Sequence, residues 1–174
     1  MWPFGRKKNK PSPEGINLLG SILLCYGEIA TVSYEPENQT FKFSFTFNTP
    51  LTEKEFQDQA HFLGESLETY QMLEGLVGCH IEFSLEAQGK LAFFHVIRDL
   101  VTVTRGEIDL LVTLMRERFG ERLLCDEHSS GMDPDFAAAQ MELLDRNLMG
   151  LQEARPKDHL VGLREEDHVV VYNR

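Results

Sequence analysis

The sequence predicts an α+β fold: a mainly antiparallel sheet of five or six strands built from hairpins, with amphipathic helices packed on it. Three observations lead there. Residues 41–47 read Phe-Lys-Phe-Ser-Phe-Thr-Phe, the two-residue period of a strand with one buried face. Leu51, Thr52, Glu55 and Phe56 form a helix start, and Val103, Thr104, Glu107 and Ile108 repeat it at an offset of 52. The order helix-then-hairpin also recurs two to three times, near 16–47, 52–99 and 133–172.

Residues 1–15 read as a loose basic tail, because Pro3, Gly5, Pro11, Pro13 and Gly15 oppose regular structure. Residues 16–174 read as a single domain, a length ample for a sizeable core. Its first element is a short apolar helix over 16–26, with Ile16, Leu19, Ile22, Leu23 and Tyr26 on one stripe and Gly27 as the stop. A strand over 29–34 follows. Glu35-Pro36-Glu37-Asn38-Gln39 then turns the chain into the phenylalanine strand. Covering Phe41, Phe43, Phe45 and Phe47 is worth several kcal/mol, at about 25 cal/mol per Å² of apolar surface.

The cover expected for that row is the next helix, over about 52–76. Thr52 is its N-cap, Glu55 the reciprocal partner, and Leu51 with Phe56 the staple. Its apolar stripe is Phe56, Ala60, Leu63, Leu67 and Tyr70. Strands over 79–86 and Leu91–Asp99 form the second hairpin. The latter is apolar on both faces, which predicts a central position covered above and below. Thr104 caps a second amphipathic helix carrying Ile108, Leu111, Val112, Met115 and Phe119, with Glu107 closing its box. Residues 121–125 fit either a short strand or a frayed helix end, and the acidic stretch 126–135 reads as a loop. A further helix opens near Asp133 or Pro134. The last hairpin pairs 160–164 with 168–172.

Net charge is −11, and Arg6, Lys7, Lys8 and Lys10 leave −15 on the rest of the chain. An acidic body repels phosphate backbones, which argues against nucleic acid and suits a basic partner. Three cysteines (Cys25, Cys79, Cys125) cannot all pair within one chain, and this favours a reducing cytoplasm. The apolar run 16–25 is too short and too interrupted for a secretory signal or a membrane span.

Chemistry-bearing patterns are sparse. Cys125 and His128 stand as Cys-x-x-His, a weak metal candidate without a second well-spaced pair. Cys79 and His80 are neighbours on a strand and point to opposite faces. His95 lies among Phe93, Phe94 and Val96, either a core histidine or a general base, and no nucleophile or second acid accompanies it. Arg98-Asp99 reads as a strand-end ion pair of little energetic value if exposed. Phosphate-loop, nucleophile-elbow and zinc-protease motifs are absent from the sequence, so no catalytic residue and no cofactor is assigned.

These observations converge on a non-enzymatic, cytoplasmic protein-binding or adaptor module of chaperone-like character. Hairpins leave open sheet edges, and an open edge is a docking surface for a partner strand or another copy of the chain. The candidate contact residues are Val169, Val171 and Tyr172 at the end of the last strand, with Trp2, Phe4, Arg6, Lys7 and Lys8 in the tail. Two alternatives stand beside this reading. One is a small metal-dependent enzyme or regulator using His95, His80, Cys125 and His128. The other is a peripheral membrane factor held weakly through residues 1–10.

Overall fold

The computed structural model describes residues 12–127, 133–166 and 168–174. Trp2, Phe4, Arg6, Lys7, Lys8 and His128 lie outside the described residues. In chain order come α1 (Pro13–Cys25), β1 (Thr31–Glu35), β2 (Thr40–Phe47), α2 (Glu53–Leu73), β3 (Ile81–Gln88) and β4 (Leu91–Asp99). They are followed by α3 (Arg105–Phe119), α4 (Pro134–Ala154), β5 (Leu160–Glu165) and β6 (His168–Asn173). A 3-10 turn, Gly120–Arg122, leads out of α3.

The fold is α+β, with one antiparallel sheet of six strands in the order β3-β4-β2-β1-β5-β6. The first hairpin occupies the centre, and the other two are added on either side of it. Val32, Phe43, Val96 and Phe83 stand abreast on the face that the helices cover. Thr31, Ser44, His95 and Ser84 stand abreast on the other face, which carries no helix among the described residues. All four phenylalanines of β2 are buried in a single core with Leu18, Leu19, Ile22, Leu23, Leu63, Leu67, Phe94 and Leu151.

Local signals explain the element starts. Thr52 accepts from the Glu55 N–H at 3.1 Å, and the Glu55 carboxylate accepts from the Thr52 N–H at 3.0 Å, so the capping box is complete. Asp133 caps α4, with Pro134 in the first turn. α1 begins at Pro13 and not at Ile16, because Ser12 accepts from the Gly15 N–H and Pro13 stands where its missing N–H costs nothing. No described helix is long and apolar enough to cross a membrane.

Four expectations need correcting. The helix that meets the phenylalanine row by ring contact is α3, whose Phe119 lies 4.4 Å from Phe47. α2 lies over the β3–β4 hairpin instead, with Phe56 5.2 Å from Phe94 and Gly64 against Phe83. β4 is one strand from the edge, and its burial alternates, because Phe93, His95 and Ile97 belong to the uncovered face. Thr104 does cap α3, but Glu107 does not reach back to it. Its carboxylate turns inward to Arg98 and Gln71. Arg98 does pair with Asp99 as expected, but not as an exposed strand-end ion pair. It is 1% exposed and the largest fully buried side chain.

Candidate functional site

Among the described residues the sheet ends in two free edges, and they differ in chemistry. At one end the Arg174 N–H donates to the His159 carbonyl at 2.8 Å, extending the β5–β6 ladder one pair beyond Leu160–Asn173. Hydrogen-bonded and non-hydrogen-bonded pairs alternate along an antiparallel ladder. His168, Val170 and Tyr172 thus direct their amide groups to β5, while Val169, Val171 and Asn173 direct theirs outward. The apolar run from Val169 to Tyr172 carries no lysine, proline or acid to guard that edge.

At the other end, the Asp99 N–H donates to the His80 carbonyl, so by the same alternation Ile81, Phe83, Leu85 and Ala87 point their amides outward. There Glu82 and Glu86 interleave with the apolar positions, a charge pattern that discourages indiscriminate pairing. The β6 edge is the unguarded one.

The three residues of β6 picked out from the sequence divide by role. Val169 and Val171 pack half-buried against the core, near α1, so at these two positions it is the backbone that faces outward. Tyr172 stands on the uncovered face opposite Val161, 42% exposed.

Next to the guarded edge the uncovered face holds a short polar relay. Ser44 Oγ lies 2.7 Å from His95 Nδ1, and His95 Nε2 lies 3.2 Å from Glu86 Oε2. Serine, histidine and carboxylate in line is the arrangement that activates a nucleophile. Here Ser44 sits buried in the middle of β2, where its neighbours' N–H groups belong to the ladders, and among the described residues no donors converge on it to hold an oxyanion. The relay reads as a polar brace between β2, β3 and β4.

Burial holds His95 below the ordinary imidazole value; its bond to Glu86 opposes this, and the charge of Lys42 adds to it. Folding thus favours the neutral ring, and the unfolded chain binds more protons below about pH 6.5. The relay's contribution to stability is expected to fall as pH drops through that value. In urea titrations at several pH values, His95→Asn should flatten that part of the wild-type profile, and an unchanged slope would contradict the assignment.

The other predicted groups are not gathered. His80 pairs with Glu82 at 3.3 Å on the β3 edge, and Cys125 lies in the segment after α3, beside Asp126, whose N–H donates to the Gly27 carbonyl. No group of three His, Cys, Asp or Glu that could hold a metal occurs among the described residues. Cys125 and Cys25 both line a cleft of about 500 Å³ with Glu28, Asp109 and Arg116. Burial pushes the Cys25 thiol up to about 11, and burial followed by the charge of Glu28 raises Cys125, so neither is an activated thiolate at neutral pH.

Reading residues one at a time missed Ser44 and Glu86, because each looks like an ordinary outward-facing strand residue. Only the register between β2, β4 and β3 brings them to His95. No protein-family model, no curated protein and no solved structure matches this chain.

Proposed function

We propose that the chain is a non-enzymatic protein-binding module, which takes an extended, basic segment of another protein as an added strand beside β6. The outward ladder of Val169, Val171 and Asn173, unguarded by charge, is the observation that carries this reading. Strand addition draws its affinity from main-chain hydrogen bonds, which β6 offers in a row, and its selectivity from side chains on alternate sides. The net charge of −11 favours a basic partner over an acidic one.

Val171→Pro tests it. The variant removes one outward N–H and leaves the bonds of Val170 and Tyr172 to β5 in place, and proline is tolerated on edge strands for this reason. Wild type and variant are used side by side to capture proteins from the native host, with urea midpoints as the folding control. Proteins held by the wild type and lost by a folded Val171→Pro variant are the expected result. An identical captured set, or none from either, would refute the proposal.

A further inference from the structure

We infer that the groove between α2 and α3 docks a basic amphipathic helix of a partner protein, a second surface independent of the β6 edge. The two helices run antiparallel, as Tyr70 meets Thr104 at 3.3 Å and Arg118 meets Gln59 at 2.9 Å. Between them lies an open groove of about 420 Å³ lined by Phe62, Tyr70, Leu73, Leu110 and Leu114, with Glu65 on its lip. From Phe62 to Leu73 the helix advances roughly 16 Å, the length of about three turns of a docked helix. Leu73 is 81% exposed, and Met72 and Val77 beside the same helix end are 75% and 85% exposed. A cluster of large apolar groups so open to water marks a contact surface.

Charge decides which helix fits. Glu65 borders the groove on α2, and Glu117, three residues beyond Leu114, falls on the same flank of α3. α2 has no basic residue in its last turn, so the partial negative charge of that end is not offset from within the helix. Of the nearby basic groups, Arg118 is held 4.0 Å over the Phe62 ring and to Gln59, and the exposed His61 ring meets Glu65 at 3.2 Å. A second copy docked through the same face would add the same acids, Glu65 and Glu117, to the interface, whereas lysines flanking an apolar stripe would meet opposite charge.

The test uses two labelled synthetic peptides with identical leucine spacing, one with lysines and one with glutamates on the polar face. Fluorescence anisotropy should show the lysine peptide binding and the glutamate peptide not. Methyl NMR shifts should centre on Leu73, Leu110 and Leu114. Leu73→Lys and Glu65→Lys change exposed side chains and should keep the wild-type urea midpoint, yet each should weaken the lysine peptide by about tenfold or more. Val171→Pro should leave this binding unchanged, which separates the groove from the edge. Equal binding of both peptides, binding indifferent to Leu73→Lys, or a concentration-dependent dimer abolished by Leu73→Lys would each overturn the inference.

Discussion

Glu107→Ala should cost about 3–5 kcal/mol of stability, the loss expected when one partner of a buried ion pair is removed and the other is left behind. For a chain of this size that lowers Tm by roughly 10 °C. The geometry makes the case. Arg98 Nε donates to Glu107 Oε2 at 2.6 Å and its Nη2 to Glu107 Oε1 at 3.0 Å, a two-point fork fully enclosed by protein. The other donor positions are also taken. Nη1 reaches the His80 carbonyl and the Asp99 carboxylate, and Nη2 the Thr102 hydroxyl at 3.1 Å. Burial works against the charged guanidinium, but the bonds and charge of Glu107 and Asp99 outweigh it and raise the Arg98 pKa above its ordinary value. Without Glu107 the burial remains and its main compensation is gone. Arg98→Met combined with Glu107→Leu should recover most of the loss, since an apolar pair of similar volume removes both charges from the interior. Urea denaturation of the two single variants and the double variant checks this. A double variant as unstable as Glu107→Ala would show that the site's value lies elsewhere in the network.

That fork also marks where the sequence stops being readable. Thr104 and Glu107 match a capping box at every position, and the Thr52–Glu55 pair shows that the same pattern can deliver one. The difference is a cation on a neighbouring strand. Arg98 lies under α3 in the folded chain, and a buried guanidinium competes for the carboxylate far more strongly than one exposed N–H. Such a contest depends on tertiary placement, which spacing along the chain does not encode. The same limit applies to Ser44, His95 and Glu86, which meet only because β2, β4 and β3 pair in one register. Local chemistry was far more legible. The alternation of β2, the caps at Thr52, Thr104 and Asp133, and the turns of the first two hairpins follow from adjacent residues, and each stands where those residues place it. Strand order lies between these extremes. Hairpins predict which neighbours pair, but not that the first hairpin becomes the centre, and that position leaves the outer strands of the other two hairpins, β3 and β6, as the two free edges among the described residues.

The two proposed docking surfaces lie toward opposite ends of this sheet, β6 at one and the α2–α3 groove above β3 and β4 at the other. The proposed binding role needs that separation. It also needs the α2–α3 end to be rigid, and Phe94 is the residue on which that rigidity rests. Its ring is fully buried and lies 5.2 Å from Phe56 of α2, 5.9 Å from Phe83 of β3, 6.2 Å from Phe119 of α3 and 6.4 Å from Phe47 of β2. Four elements are tied through one side chain. Phe94→Ala should therefore destabilise the fold by about 3–5 kcal/mol, from lost transfer energy and the cavity left behind. Edge-on contacts of this kind each add about 0.5–1.5 kcal/mol beyond area, so the value should fall at the upper end of that range. Phe94→Leu keeps part of the volume but none of the ring contacts, so its cost should fall between that of wild type and that of Phe94→Ala. Amide exchange gives the sharper readout. In Phe94→Ala, protection should drop first in α2 and β3, whose packing on the sheet runs through this ring, while β5 and β6, held by α1, keep theirs. Uniform loss across all six strands would mean that the sheet opens as one unit and that the groove has no stability of its own to lose.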